Sequence, residues 1–263
     1  MFTIEKYTLA ESLSQAYEII KERGSVVLGG TMWMKMGSRR IQHAVDLSGL
    51  SLNEIHEEDE FFRIGAMTSL RAVEVHEGLN ECFQDVFKES LRHIVGVQFR
   101  NGATMGGSVY GKFGFSDVLT VLLALDTQVE LFNMGTLPLK EFLEMKPVSD
   151  ILVNILIRKD GRTISYETLR KSATDFPVLA CAVSHLHGEW KAVLGARPGV
   201  AKAYSFNGSS ELTPLAMEEA VQRMKEEIPF GTNYLGSKEY REILSGVLMK
   251  RNMEKIIGGQ SWR

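Results

Sequence analysis

The stretch that decides the fold of this chain is residues 100–108, which read RNGATMGGS. An earlier glycine pair stands in residues 28–33, which read LGGTMW and follow a short apolar run. Glycine has no Cβ, so consecutive backbone amides can converge on one point and a ligand can approach the backbone. Such amide clusters bind phosphate groups, and two of them could hold a pyrophosphate from two sides. The alternative is that each glycine pair forms only a tight turn.

Two better-known nucleotide motifs fit this sequence poorly. No two of its glycines are spaced i, i+2, so the Rossmann pattern G-x-G-x-x-G is absent from the chain. Residues 106–112 match the ATP-binding pattern G-x-x-x-x-G-K. However, Phe113 occupies the position at which a hydroxyl must reach magnesium, which disfavours a P-loop.

The composition excludes several classes of protein. The chain has 263 residues and a formal net charge of -3, so it lacks the basic face that nucleic-acid binding requires. Its two cysteines, Cys82 and Cys181, cannot supply the four thiolates of an iron–sulfur cluster or a cysteine-rich zinc site. The most apolar run, residues 118–125, is too short to span a membrane, and the start of the chain carries charge where a signal peptide is apolar. We therefore expect a soluble, cytoplasmic protein with no metal site and no catalytic acid–base pair of its own.

The pattern of apolar residues predicts an α+β fold. Helices are predicted over 9–20 (with Thr8 and Glu11 as a capping box), 68–76 and 116–125 (capped by Ser116). Two more are predicted near the end, one with Thr213 as cap and Pro214 in its first turn, and one that starts after Ser237 and runs to about residue 257. Strands are predicted over 25–28, 44–47, 61–65, 128–132, 151–157, 163–170, 178–187 and 190–196. In residues 94–114 the apolar residues follow neither the helical nor the strand spacing. So long an irregular stretch inside a domain is usually functional. Because strands come first and helices collect at the end, α+β is favoured over a doubly wound parallel sheet, with a boundary near residue 160.

Taken in order, several segments carry a family resemblance. They are Gly29-Gly30-Thr31, Val45-Asp46-Leu47-Ser48, Ile64-Gly65-Ala66-Met67-Thr68, Gln98-Phe99-Arg100-Asn101, Ala103-Thr104-Met105-Gly106-Gly107, Ser116-Asp117 and Leu122-Leu123-Ala124-Leu125-Asp126. This series resembles the FAD-binding subunit of molybdenum hydroxylases, of the xanthine dehydrogenase and carbon monoxide dehydrogenase type. The resemblance implies an α+β, two-subdomain FAD-binding domain of the PCMH type, formed by residues 1–55 and 56–158. A smaller C-terminal α+β domain with an antiparallel sheet and helices, residues 159–263, is implied to follow.

The resemblance also implies which residues bind the cofactor. FAD would lie between the two subdomains, with its pyrophosphate held by the two glycine loops. The implied contacts are Leu28, Gly29, Gly30, Thr31, Met32, Trp33, Ile94, Thr104, Gly106, Gly107, Ser108, Asp117, Leu152 and Arg170. This sequence departs from the family pattern at three positions: Met32 replaces a polar residue, Ser108 replaces asparagine, and Val97 replaces proline before Gln98. In addition, Arg170 stands where the family often has lysine, and Ile94 where some members have an aromatic residue.

The function implied by the resemblance is electron transfer. The partners would be a molybdopterin-binding large subunit and an iron–sulfur small subunit carrying [2Fe-2S] clusters. FAD in this chain would receive electrons from the iron–sulfur subunit and pass them to an acceptor such as NAD, as in a xanthine dehydrogenase. Two alternatives stay open. One is a free-standing FAD oxidoreductase. The other is a non-catalytic module that has lost the flavin, and the departures from the family pattern at Met32 and Ser108 support it. No residue of this chain identifies the substrate of the complex.

Overall fold

The computed structural model describes residues 2–258. Its helices are α1 (Leu13–Ile20), α2 (Leu70–Glu74), α3 (Glu77–Cys82), α4 (Val86–Leu91), α5 (Val97–Gly102), α6 (Met105–Tyr110), α7 (Asp117–Ala124), α8 (Leu139–Glu144), α9 (Pro214–Glu227) and α10 (Lys238–Ile257). Its strands are β1 (Thr3–Leu9), β2 (Ser25–Leu28), β3 (Arg40–Asp46), β4 (Ile55–Glu57), β5 (Phe61–Gly65), β6 (Thr127–Leu131), β7 (Gly135–Pro138), β8 (Leu152–Arg158), β9 (Thr163–Arg170), β10 (Pro177–Leu186), β11 (Glu189–Gly195) and β12 (Lys202–Asn207).

The described chain divides into two compact units that alternate along the sequence. The first contains the described residues up to Val73, together with Val97–Gly111 and Thr127–Arg158. The second contains Glu74–Gly96, Lys112–Asp126 and the described residues from Lys159 onward. The three segments predicted from the sequence, 1–55, 56–158 and 159–263, stay a prediction.

The first unit contains two sheets. Three parallel strands form a sheet in the order β1-β3-β2, and five antiparallel strands form a second sheet in the order β4-β5-β8-β6-β7. Helix α1 packs its buried residues Ala16 and Ile20 against Val45 at the end of β3 and Val153 of β8. Since β2 and β3 run in the same direction and end together, with Leu28 opposite Asp46, the glycine pair follows at the carboxyl edge of the small sheet.

The second unit is built on one antiparallel sheet, in the order β12-β11-β10-β9. Strand β10 is buried along most of its length, and its side chains alternate between two faces. Leu179, Cys181 and Val183 pack with α9 and α10 in one apolar cluster. On the other face the Ser184 hydroxyl donates to the carbonyl of Ala124, at the end of α7, over 2.6 Å. Helices therefore cover both faces of this strand.

Much of the predicted α+β architecture is confirmed. Strands β5 and β9 have the predicted bounds, and β9, β10 and β11 form the predicted antiparallel meander. The predicted caps Ser116 and Thr213 each accept a hydrogen bond from the first turn of their helix, at 3.1 and 3.2 Å. Ser237, which precedes the last predicted helix, caps it in the same way at 3.2 Å. These signals are local, since a capping side chain binds amides two or three residues away.

Two expectations were wrong. Thr8 does not cap the first helix but lies in β1, where its hydroxyl meets the His43 ring at 2.9 Å, and Ser12 caps α1 instead. The sequence pattern missed β1 because this strand is exposed along almost its whole length and shows no alternation of polar and apolar residues. Residues 94–114 are not irregular either, since they contain α5 and α6. Helices of six residues are too short to show a helical period.

Candidate cofactor site

The two glycine-rich segments pack backbone to backbone in the first unit. A Cβ on Gly30 would lie 1.5 Å from the carbonyl oxygen of Gly102, and a Cβ on Gly29 would lie 2.8 Å from Oγ1 of Thr104. No side chain fits at such distances, so Gly30 must be glycine for the loop after β2 to reach α5. The sequence predicted that both segments take part in one site, and the structure brings them into direct contact.

Thr104 joins the two segments. It is 7% exposed and is the N-cap of α6. Its Oγ1 accepts a hydrogen bond from the amide of Gly107 at 3.2 Å and a longer one from the amide of Gly30 at 3.4 Å. A hydroxyl has two acceptor lone pairs and one donor hydrogen. With both lone pairs directed at glycine amides, the hydroxyl hydrogen is the group that Thr104 can offer to a ligand.

The first turn of α6 is already bonded within the protein. The amides of Met105 and Gly106 donate to the carbonyls of Thr68 and Ala66, at 2.9 and 2.8 Å. The amide of Ser108 donates to the carbonyl of Thr104, and the Ser108 hydroxyl donates to the same oxygen at 2.9 Å. The stretch that resembles an ATP-binding loop is therefore mostly helix. Its Gly106 allows close packing, since a Cβ there would lie 2.7 Å from the carbonyl oxygen of Ala66. This makes the P-loop alternative untenable, because that motif needs loop amides that face a phosphate.

The surface beside the glycine pairs is formed by the first loop. Gly107 is exposed, whereas Gly29, Gly30, Thr31, Met32, Trp33 and Ser108 are half-buried. Thr31 has φ of +56°, a left-handed conformation that costs a β-branched residue free energy. Backbone strain of this kind is found disproportionately at ligand-binding sites.

Met32 and Trp33 cover the second segment. The Met32 sulfur lies 2.8 Å from the position that a Cβ on Gly102 would take, so Gly102 leaves room for this side chain. The Trp33 ring packs edge-on against Phe99 of α5, with ring centroids 4.9 Å apart. At position 32, where the family pattern has a polar residue, this chain therefore has an apolar packing contact.

Leu28 and Leu152 are core residues of the first unit. Leu28 packs with Ile41 and Ala44, and Leu152 of β8 stands opposite Leu131 of β6. Both leucines are buried. Their contact with a cofactor stays a prediction.

Asp117 and Arg170 form a buried ion pair in the second unit. Asp117 opens α7, and its Oδ2 accepts from Nη2 of Arg170 at 2.6 Å. Its Oδ1 accepts from the hydroxyl of Tyr166, which lies four residues before Arg170 on the same face of β9. Burial raises the pKa of the Asp117 carboxyl, against the opposing charge of Arg170. Burial and the negative charge of Asp117 raise the pKa of Tyr166 well above its ordinary value, so Tyr166 stays a donor.

The Arg170 guanidinium is held at both terminal nitrogens. Its side chain is 7% exposed, Nη2 is bound to Asp117, and Nη1 donates to the carbonyl of Asp175. Its Nε is buried and has no hydrogen-bond partner among residues 2–258. An unpaired buried donor costs about 1–3 kcal/mol. The buried ion pair therefore keeps one nitrogen without a hydrogen bond within residues 2–258.

Ile94 lies in the same unit as this ion pair. It follows α4, is half-buried, and precedes Val95, which has φ of +53°. Burial, together with the charges of Arg92 and Arg170, lowers the pKa of the neighbouring His93. Arg92 Nε donates to Nε2 of His93 at 3.1 Å, so this nitrogen acts as an acceptor. The role of Ile94 beside a flavin stays a prediction.

Tyr166 is the residue that sequence reasoning missed. Its signal is the i, i+4 spacing to Arg170 on one strand, which places both side chains on the same face. Among the described residues, no group of three or more histidine, cysteine, aspartate or glutamate side chains could hold a metal ion. Within the same part of the chain, no helix combines the length and the apolar character needed to cross a bilayer.

Comparisons with known proteins show the family of this chain. Residues 2–159 match the family model described as the FAD binding domain in molybdopterin dehydrogenase. The protein YgfM of Escherichia coli K12 is 26% identical to this chain, and the match covers 94% of each protein. The nicotine 6-hydroxylase medium subunit of Paenarthrobacter nicotinovorans is 22% identical, and the match covers 94% of this chain and 95% of that subunit. Carbon monoxide dehydrogenase from Hydrogenophaga pseudoflava has the same fold, with a TM-score of 0.86 and 19% identity over 97% of each chain.

Proposed function

Because the chain belongs to the family of FAD-binding domains of molybdopterin dehydrogenases, we propose that it is the FAD-bearing electron-transfer subunit of a molybdenum hydroxylase complex. The observation that carries this proposal is the direct packing of the two glycine segments around Thr104, inside the region that the family model covers. FAD is the cofactor of this family. The residues around Thr104 fit a dinucleotide, since they combine close backbone approach, a strained loop and a buried hydroxyl donor.

The chain's own residues bind and orient the cofactor. The loop of residues 28–33 would hold the pyrophosphate together with the hydroxyl hydrogen of Thr104. Trp33 and Met32 would exclude water from one side of the loop, since they pack on the second glycine segment. Bound FAD supplies the redox chemistry, by accepting and releasing electrons. No catalytic acid or base from this chain is required for that role.

The complex would contain two further subunits. A molybdopterin-binding large subunit would act on the substrate, and an iron–sulfur small subunit with [2Fe-2S] clusters would relay the electrons. Two observations support this arrangement: the chain has two cysteines, fewer than a cluster needs, and a relative that matches over 94% of this chain is named a medium subunit. We propose NAD as the acceptor, with a xanthine dehydrogenase-like reaction in the cytoplasm.

Reconstitution with FAD tests the proposal. The purified chain should take up FAD and show flavin absorbance, and Gly30→Ala should lose that absorbance because its Cβ would collide with the carbonyl of Gly102. Gly37→Ala is the matched control, since its Cβ would meet its nearest atom, the carbonyl oxygen of Met34, at 3.5 Å. Circular dichroism of both variants separates lost binding from lost folding. A wild-type chain that shows no flavin absorbance after incubation with excess FAD and removal of the unbound FAD would refute the proposal. That result would favour the non-catalytic module that has lost the flavin.

Reduction of the bound flavin separates the electron-transfer subunit from a free-standing oxidoreductase. In the proposed complex, substrate reduces the flavin only when the molybdopterin and iron–sulfur subunits are present. NADH supplied to the chain alone should reduce the flavin in reverse if NAD is the acceptor. Flavin reduction by a small organic substrate without the partners would identify a free-standing enzyme instead.

A further inference from the structure

Helix α10 carries apolar side chains on two of its sides. On the inner side Leu244 and Leu248 are buried in the apolar cluster of the second unit. On the outer side Tyr240 is 47% exposed, Ile243 66% and Val247 41%. Positions spaced i, i+3 and i+7 share one face of a helix, so these three residues form a single stripe, which we call the α10 stripe.

The α10 stripe has the character of a protein interface. Apolar side chains that are exposed in a contiguous group mark an interaction site. Another aromatic residue, Tyr234, is 77% exposed in the loop before α10. The buried Arg241 holds this loop in place, since its guanidinium donates to the carbonyls of Gly231 and Gly236. Tyrosine is enriched where proteins bind each other, so the stripe suits a second protein surface.

The charges beside the stripe are opposite at the two ends of α10. Glu239 is exposed in the first turn, whereas the side chains of Lys250 and Arg251, toward the other end, are 36% and 62% exposed. Arg251 lies 3.9 Å from Glu167, the far limit of an ion pair, so its guanidinium can bind another group. Lys250 binds Glu218, but an ammonium has three donors and can take a second acceptor. These ends complement a second α10 that runs in the opposite direction.

Helical spacing places these residues on matching flanks of the stripe. Glu239 and Lys250 are eleven residues apart, and so are Tyr240 and Arg251. Eleven residues make about three turns, so each pair lies nearly on one line along the helix. In an antiparallel, two-fold pair of helices, equivalent flanks face each other. Glu239 of one copy then meets Lys250 of the other, and the ring of Tyr240 meets the guanidinium of Arg251. A parallel pair would instead bring Glu239 beside Glu239.

We propose that this chain forms a homodimer in which the α10 stripes of two copies pack in opposite directions, with Ile243 of each copy against Val247 of the other. Each contact occurs twice, because a two-fold interface uses the same surface on both copies. The stripe is short, so the dimer is weaker than an obligate one and exchanges with the monomer. The dimer needs neither FAD nor another subunit, so it goes beyond the proposed function.

The test is the mass of the full-length purified chain in sedimentation velocity. Between about 5 and about 500 µM, the average mass should rise from that of one chain toward that of two. In Ile243→Glu the Kd of the dimer should rise at least about a hundredfold, because each dimer buries this side chain twice. A wild type that stays monomeric at the highest concentration, or an Ile243→Glu variant that dimerises as the wild type does, would overturn the proposal.

The matched control is Leu215→Glu. Leu215 is 70% exposed at the start of α9 and lies outside the α10 stripe, so this variant should dimerise as the wild type does. Loss of the dimer in this control would assign the contact to another surface and overturn the proposal. Circular dichroism checks that each variant is folded, and Val247→Glu replaces Ile243→Glu if the latter does not fold.

Charge reversal tests the direction of packing. Glu239→Lys places a lysine opposite Lys250, and Lys250→Glu places a glutamate opposite Glu239. Each variant alone should dimerise about tenfold more weakly than the wild type, because two attractive contacts become repulsive. An equimolar mixture of the two variants restores opposite charges at both ends, so mixed dimers should form. A mixture that associates no better than the separate variants would overturn the antiparallel arrangement.

Other occupants of the stripe give a different result. If the chain alone is monomeric and Ile243→Glu instead fails to bind a co-expressed molybdopterin or iron–sulfur subunit, the stripe contacts that subunit and the homodimer is overturned. Flavin absorbance is read on the same samples. A chain that dimerises without binding FAD would defeat only the proposed function, whereas a chain that binds FAD as a monomer would defeat only the dimer.

Discussion

The hydroxyl of Thr104 offers a measurable link between the two glycine segments. Thr104→Val replaces this hydroxyl by a methyl group of similar size, so the shape of the buried site is kept. The substitution removes the acceptor for two backbone amides, those of Gly107 and Gly30. Helix α6 thereby loses its N-cap, and the loop after β2 loses its hydrogen bond to the second segment.

The expected loss of stability follows from these two contacts. An N-cap threonine contributes about 1 kcal/mol to the free energy of unfolding. An amide left unpaired in a buried site costs about 1–3 kcal/mol, and the lower end applies to Gly30 because its bond of 3.4 Å is already long. The sum is about 2 kcal/mol, which for a chain of this size lowers Tm by roughly 4–8 °C.

Urea unfolding of the apo-protein, followed by circular dichroism, measures this loss. Thr213→Val is the matched control, since Thr213 caps α9 on the surface and accepts from one amide only, that of Ala216. The control should lose about 1 kcal/mol, and Thr104→Ser, which restores the hydroxyl, should recover most of the loss at position 104. If Thr104→Val is as stable as Thr104→Ser, Thr104 does not join the segments and the reasoning fails.

Two further predictions concern the second unit. Arg241 is fully buried and donates to three backbone carbonyls and to Oδ1 of Asn233. We therefore expect Arg241→Met to lower the free energy of unfolding, measured by urea titration, by about 3 kcal/mol or more. A loss below about 1 kcal/mol would contradict this expectation. Burial raises the pKa of Cys181 to about 12, so at pH 8 a thiol reagent should label the half-buried Cys82 in the native chain and both cysteines after denaturation. Rapid labelling of Cys181 in the native chain would show that the strand carrying it is open to solvent.

The sequence by itself determined the features that depend on neighbouring residues. Local signals mark the helix caps Ser116 and Thr213, the start of the last helix after Ser237, the antiparallel meander and the strand before the first glycine pair. Each signal is a capping residue or a pattern of apolar residues that spans only a few positions. The ordered series of segments, with the two glycine motifs among them, was also sufficient to indicate the family.

The tertiary structure alone decided which distant residues meet. Nothing in the sequence shows that Gly30 packs on the carbonyl of Gly102, or that Thr104 accepts from an amide 74 positions away. The same holds for Tyr166, which reaches Asp117 across 49 positions. The physical reason is that such contacts depend on how sheets and helices pack. Their side chains lie far apart in the chain, and neither propensity nor periodicity carries information about the partner.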